Sequence, residues 1–418
     1  MSVQAVIGAQ WGDEGKGKFI DIQSENADVV ARYQGGANAG HTICVEGEET
    51  ILHQLPSGII RDNRECILGN GMVIDPIGVV DEINTLSSKG VKNLEDRIHI
   101  SQQAHIVTPI HKILDAAYER QRGENAIGTT KKGIGPCYTD KIKREGIRAS
   151  DLKNYPQVEE KLNQDIALYR KQGILEDQDL DDIFAQLQKF KNCAQKITDY
   201  VDDTINFIHD SISEGKEILI EGAQGTMLDV DLGSYPYVTS SNTTAGNVMS
   251  GLGINPFQIS KNYGILKAYL TRVGKGPFPT ELRGEIGDFL REKGNEFGAT
   301  TNRKRRCGWL DLELADYAYK VNGFTSIVIT KLDILDEMDE IKVCTGYKEG
   351  RYPKVNLGEV TPEYKTFPGW EDSVTGVSEY KNLPQNAKNY LDFIQNYLGV
   401  TISHISVGKD RSEIIEVD

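Results

Sequence analysis

No apolar stretch in these 418 residues approaches the roughly 20 needed to cross a bilayer. Positive charge is also short, with 47 Lys and Arg against 62 Asp and Glu and a net charge of -15. The first lack argues against a membrane span. The second argues against a dedicated nucleic-acid binder, and it requires that any anionic ligand be met by basic residues concentrated locally. Cysteine is sparse too: Cys44, Cys66, Cys137, Cys193, Cys307 and Cys344 are scattered with no C-x-x-C pair. That pattern fits reduced thiols in the cytoplasm better than a disulfide framework or a zinc site. No internal repeat or low-complexity tract is present, and the first apolar run leads straight into a glycine loop, so no signal peptide is expected. A composition of 39% hydrophobic and 26% charged residues with 42 glycines suits one large α/β domain with insertions, or two domains.

What is present begins with short β-rich runs that end in glycine or a polar turn: Val3–Ile7, Val29–Arg32, Ile218–Ile220, Ile265–Thr271, Ile327–Thr330 and Thr401–Val407. Near-continuous apolar strands separated by helical or irregular stretches predict a central, largely parallel sheet flanked by helices. Ligands on such sheets bind beyond the carboxyl ends of the strands, so the polar segments after the strands are the place to look. Residues 151–215 differ: they are rich in charge and nearly free of glycine. Ile166, Leu168 and Ile174, then Ile183, Leu187 and Phe190, recur at helical spacing. This predicts an inserted group of amphipathic helices whose charges are solvated faces. Residues 345–385 read as irregular or weakly stranded, followed by a last helix near Asn386–Tyr397.

The first glycine loop is Gly8 to Lys18, directly behind the first strand. Glycines let backbone N–H groups approach a phosphate, and the following helix adds its positive end. It lacks the Ser or Thr that follows Gly-Lys in the common P-loop. It has Asp13 instead, and a carboxylate among phosphate-binding amides is costly unless it holds a metal or moves a proton. A second turn, Gly35 to Thr42, supplies Asn38 and His41; a histidine beside a phosphate loop can answer charge on a transferred phosphoryl group, and a structural turn is the plainer reading. Gly128 to Pro136 adds hydroxyls and cations, with Lys141, Lys143, Arg144 and Arg148 behind it. Glu221 to Thr226 follows a strand and carries Gln224, whose amide can read a purine edge. Tyr235 to Gly246 is a polar wall or a helix-capping region. Gly298 to Arg306 is the densest positive charge in the chain, and arginine there can hold carboxylate or phosphate bidentately. Finally, Thr330-Lys331-Leu332-Asp333 closes a strand: a carboxylate in that place accepts from N1–H and the 2-amino group of guanine, so Asp333 would select GTP over ATP, with the stem of Lys331 along the base.

Together, Gln10–Lys18, the Asn38–Thr42 turn, Glu221–Thr226, Pro236–Gly246, Thr300–Arg306 and Thr330–Asp333 closely resemble the adenylosuccinate synthetase family, from residue 3 to about residue 413. The resemblance implies a single synthetase domain over 1–418, with a P-loop-like GTP-binding architecture and the helical insertion at about 151–215. It implies ligation of IMP to L-aspartate with GTP and magnesium (Mg2+), the first committed step from IMP to AMP. Asp13 would be the general base on N1 of IMP and a metal ligand, with the Gly40 carbonyl as another. His41 would stabilise charge during transfer of the γ-phosphoryl group to O6, giving a 6-phosphoryl intermediate that the aspartate amine then displaces.

By the same resemblance, GTP contacts Gly12, Asp13, Glu14, Gly15, Lys16, Gly17 and Lys18, the turn Gly40, His41 and Thr42, and Arg305. Its base meets Lys331, Leu332 and Asp333, and the segment Ser406, Val407 and Gly408 completes that site. IMP lies against Asp13 to Lys16, against Asn38, Ala39, Gly40 and His41, and against Thr130, Gln224, Thr239 and Arg303. Arg144 reaches into the partner subunit's IMP site, which implies a homodimer. Aspartate lies against Ala299, Thr300, Thr301, Asn302, Arg303, Lys304 and Arg305. Lys131-Lys132 stands where the family has Gly-Arg, and Asn302-Arg303-Lys304-Arg305 where it has Gly-Arg-Arg-Arg. Lysine keeps the charge but loses the bidentate fork, so altered aspartate affinity without loss of activity is expected. A GTP-regulated switch would share the phosphate loop and Asp333 but leaves Asp13 and the basic 300–306 loop without a role, and a ligase using ATP leaves Asp333 without one.

Overall fold

The computed structural model describes residues 2–45, 47–298 and 303–417. Its centre is a ten-stranded sheet made of β1 (Val3–Gly8), β2 (Val29–Arg32), β3 (Glu65–Leu68), β4 (Ile98–Ser101), β5 (Val201–Asp202), β6 (Ile218–Glu221), β7 (Ile259–Lys267), β8 (Ser326–Thr330), β9 (Ile402–Ser406) and β10 (Ile414–Glu416). The spatial order is β10-β9-β8-β7-β1-β6-β2-β3-β4-β5. Every neighbouring pair is parallel except β9 with β10, as the near-continuous apolar runs predict.

Period-two alternation assigns the faces. Val3, Ala5 and Ile7 of β1, Val29 and Ala31 of β2, and Ile218 and Ile220 of β6 enter one buried cluster. Val6, Val30 and Leu219 point the other way, against Phe19 and Ile20 of the helix Lys16–Gln23. Both faces of these central strands are therefore covered.

Three expectations are revised. The run Ile265–Thr271 is not one strand: β7 begins at Ile259 and ends at Lys267, and Leu270–Arg272 pairs antiparallel with Arg306–Gly308. At the break the Lys267 carbonyl accepts from a side chain, Gln10 Nε2, at 3.1 Å. The stretch after residue 339 is more regular than its glycines and prolines suggest, with Glu340–Tyr347 and Pro362–Pro368 forming an antiparallel pair. Leu168 is exposed in the helix Tyr155–Lys171, where Val158, Leu162, Ile166 and Tyr169 form the buried stripe. With Asp177–Ile197 and Thr204–Ser213 this helix lies in the segment expected to be helical; it packs with Ile98 and Ile100 of β4. The last helix, Gln385–Leu398, stands where expected.

One buried acid fixes the base of a hairpin. The hairpin His41–Val45 with Glu48–Leu52 leads into Gln54 and Leu55, whose N–H groups donate to Glu82 at 3.0 and 3.1 Å. Burial pushes the Glu82 carboxyl up to about 7, against those two backbone bonds. The native state therefore holds the proton more tightly than the unfolded chain, so this group's contribution to stability declines as pH rises from about 4.5 to about 7. Glu82→Gln removes that slope. Thermal melts at pH 5 and pH 8 should show the variant gaining on the parent as pH rises, by up to roughly 3 kcal/mol; a pH-independent difference would place the slope elsewhere.

Candidate active site

A cleft of about 1960 Å³ runs across the carboxyl ends of β1, β2, β6, β8 and β9. It lies where β1 sits between β6 and β7 and the chain's direction of strand addition changes, the place where open parallel sheets offer a crevice. Asp13, Lys16, Lys18, Asn38, His41 and Thr42 line it, as do Thr130, Gln224, Thr239, Arg305, Lys331, Asp333, Ser406 and Gly408.

The loop after β1 is shaped by an inward-turned acid. Glu14 is fully buried; its Oε1 accepts from the N–H groups of Gln10 (3.1 Å) and Gly12 (2.9 Å), and its Oε2 accepts from Lys16 Nζ at 2.5 Å. A Cβ at Gly8 would lie 2.5 Å from the Gln224 carbonyl and 2.6 Å from Glu14 Oε2, so only glycine lets the strand end pass between them. Gly15 at φ 82° begins the helix Lys16–Gln23, whose first-turn N–H groups lack intrahelical partners and suit an anion. Asp13 itself sits at φ 59°, a conformation that costs a non-glycine residue on the order of 1 kcal/mol or more. Glu14 thus faces the loop interior and is not part of the cleft wall, while Asp13 is.

His41 meets a partner that sequence inspection missed. Its Nδ1 hydrogen-bonds Glu221 Oε1, and Glu221 also accepts from the Ser57 N–H (2.6 Å) and the Ser57 hydroxyl (2.9 Å). Burial lowers the imidazole below its ordinary value; Glu221 opposes this and stays ionised despite its own burial because His41, Arg32 and Ser57 face it. The pair fixes the ring so that Nε2 is the nitrogen left for the cleft. The available signal was an acid closing the apolar run Ile218–Ile220, the same logic that singled out Asp333.

Gln224 and Asp333 carry unanswered polar atoms. Both Oε1 and Nε2 of Gln224, and Oδ1 of Asp333, are buried with no hydrogen-bond partner among the described residues. Each such atom costs about 1–3 kcal/mol unless something binds there. Burial also raises the Asp333 carboxyl above its ordinary value. Lys18 closes this end: its Nζ donates to Ser406 Oγ (2.9 Å) and to the carbonyls of Gly408 and Glu413 (2.8 Å each), and burial pushes it down to about 8. Leu332 and Val407 have buried side chains, so they can offer only backbone.

On the basic side, Arg305 bridges two acids, with Nη2 3.0 Å from Asp13 Oδ1 and Nη1 2.7 Å from Glu296 Oε2. Arg303 is exposed and donates to the Gly128 carbonyl at 3.2 Å, joining the basic loop to the 128–136 turn. Asn38 Nδ2 donates to Thr239 Oγ1 at 3.1 Å. Lys304 and Arg144 are exposed and do not line the cleft; Arg144 ends the helix Ile134–Lys143 at φ 66°, next to the exposed Ile142. Lys132 lines a separate recess of about 320 Å³ with Asp75, Asp81 and Glu82. Ala299, Thr300, Thr301 and Asn302 lie outside the described residues.

This chain matches the family model for adenylosuccinate synthetase over residues 5–415. It belongs to the adenylosuccinate synthetase family. The adenylosuccinate synthetase of Salinibacter ruber is 50% identical over 433 residues, covering 99% of this chain and 98% of that one. The synthetase of Thermodesulfovibrio yellowstonii is 48% identical over 425 residues, 99% of each. The fully ligated adenylosuccinate synthetase of Plasmodium falciparum superposes with a TM-score of 0.94 at 42% identity, with 100% of both chains covered. A synthetase of this family must transfer a phosphoryl group, and the orientation of His41 by Glu221 can be tested on that step. Glu221→Gln should lower kcat by about 10²- to 10⁴-fold with KM values little changed; an unchanged kcat would detach Glu221 from the His41 ring.

Proposed function

We propose that this cleft performs the family reaction with Asp13 as base and His41 as the group that answers charge on the moving phosphoryl. The family converts IMP and aspartate to adenylosuccinate with GTP, forming a C–N bond in AMP biosynthesis. The observation that carries the residue assignment is that the unpartnered buried atoms of Gln224 and Asp333 belong to two side chains able to read purine edges, and both line one cleft with Asp13 and His41.

Asp13 takes the proton from N1 of IMP, and O6 attacks the γ-phosphorus of GTP. The O6–P bond forms as the bond to the β-phosphate oxygen breaks, releasing GDP. The aspartate amine then attacks C6 of the 6-phosphoryl intermediate, and phosphate leaves with the electron pair, its departure compensated by loss of the amine proton. Oxygen is a poor leaving group as hydroxide and a good one as phosphate, which is why GTP cleavage is coupled to the ligation. GTP lies along the loop Gly12–Lys18 with its guanine on Lys331–Asp333, and IMP lies on Asn38, Thr130, Gln224 and Thr239. Aspartate lies beside Arg303 and Arg305. The donor set fits magnesium: the Asp13 carboxylate and Gly40 carbonyl are hard oxygens in the cleft wall. Asp13 and Gly40 would hold the ion, which would supply neutralisation of phosphate charge.

We further assign the chain one synthetase domain with a helical insertion, a homodimer in which the exposed Arg144 serves the partner's IMP site, and the cytoplasm as its compartment. Support comes from the outward placement of Arg144 beside Ile142 and from six cysteines that are all free and buried. No helix among the described residues is long and apolar enough to cross a membrane. Sedimentation should give a species of twice the chain mass, and a monomer at assay concentrations would remove the Arg144 assignment.

The decisive assay follows adenylosuccinate by ultraviolet absorbance with IMP, aspartate, GTP and Mg2+, each omitted in turn. Product should need all four, ATP should not replace GTP, and Asp13→Ala should abolish turnover while GTP still binds. GTP hydrolysis indifferent to IMP and aspartate would instead favour a nucleotide switch.

A further inference from the structure

Glu296 has no place in the roles assigned so far, yet it is fully buried and surrounded by more cations than any acid around the cleft. Its Oε1 accepts from Lys267 Nζ at 2.9 Å and Lys331 Nζ at 2.8 Å, and from the hydroxyl of Tyr269. Its Oε2 accepts from Arg305 Nη1 at 2.7 Å. These cations come from three separate parts of the fold: the end of β7, the end of β8 and the basic loop.

The backbone around Glu296 forms the stem of the basic loop. The Arg305 N–H donates to the Glu296 carbonyl and the Gly298 N–H to the Arg303 carbonyl, each at 2.9 Å, and Phe297 bridges antiparallel to Lys304. Lys331 is tied to the same stem a second time, through the Gly294 carbonyl at 2.7 Å. Lys331 is also the left-handed residue, φ 57°, that turns the chain from β8 towards Asp333. One carboxylate therefore holds the guanine-reading turn and the stem of the aspartate-facing loop in a single piece.

We infer that Glu296 is a positioning residue that couples the guanine end of the cleft to the aspartate loop: it sets Lys331, and with it the turn to Asp333, and it sets the Arg305 guanidinium against Asp13. This inference rests on the ligase reading above. Three cations sharing one acid keep its carboxyl well below the ordinary range even though burial alone would raise it. Burial in turn pushes Lys267 down to about 8, with Glu296 opposing. A neutral residue at 296 leaves Lys331 and Arg305 without their common partner, each held by one remaining contact, Lys331 to the Gly294 carbonyl and Arg305 to Asp13. Of the groups assigned to IMP, Asn38, Thr130, Gln224 and Thr239 stand on other loops, and neither Arg303 on the stem nor Asp13 bonds Glu296 directly.

The test is a comparison of KM values. Glu296→Gln should raise KM for both aspartate and GTP at least tenfold, with KM for IMP within about threefold of the parent. A buried cation left without its anion can prevent folding, so the double variant Lys267→Met/Glu296→Gln removes both charges together. Its melting temperature should recover towards the parent while KM for aspartate and GTP stay high, because Lys331 keeps only its bond to the Gly294 carbonyl and Arg305 only its contact with Asp13, with no shared anion joining them. If Glu296 only balances Lys267, the double variant will return both KM values to the parental range, and the inference fails. A rise of all three KM values by one common factor also overturns it. Absence of product with the parent protein would count against the ligase reading, not against the coupling; calorimetric GTP binding by the double variant then reads the guanine arm, and unchanged affinity overturns it.

Discussion

Glu14, Glu221 and Glu296 are each out of reach of water, and an ionised carboxylate in such a place persists only with several donors around it. The three solutions differ. Glu14 is held by two backbone N–H groups and Lys16, so it shapes a loop. Glu221 is held by Ser57 and His41, so it orients a ring. Glu296 is held by two lysines, an arginine and a tyrosine from distant segments, so it fastens separate strand ends to each other. The groups that face the cleft are positioned by acids that do not.

Much of this was legible beforehand because it follows from side-chain type. Apolar runs ending in glycine mark strand ends, and the strands Val29–Arg32 and Ser326–Thr330 stand where their hydrophobic runs put them. The edge of the sheet was not legible: β3 and β4 are four residues each and β5 only two, with Glu65, His99 and Asp202 interrupting the apolar signal. The polar start of β7, Ser260 to Asn262, likewise hid most of a strand. Glu221 and Glu296 escaped notice for a related reason. A buried acid and a solvated one are the same letter, and only tertiary placement of cations distinguishes them.

Backbone strain was invisible for the same reason. Asp13, Lys131, Arg144, Gln224 and Lys331 all have positive φ without being glycine. Residues of this kind concentrate where the fold overrides local preference to aim a side chain. Of the nine non-glycine residues with positive φ among those described, Asp13, Arg144, Gln224 and Lys331 had been singled out by chemistry alone, so strain and chemistry overlap at these four.

The position of β1 has a consequence for how the chain is made. The earliest of the ten strands in chain order lies in the middle of the sheet, and its two neighbours start at Ile218 and Ile259. Lys18, ten residues after β1, completes its bonds only with Ser406, Gly408 and Glu413. Pairings this distant in sequence are slow to form and leave apolar edges waiting. The phosphate loop is thus translated long before the strands and the segment that complete it, and a truncated nascent chain carries the glycine loop without its flanking strands.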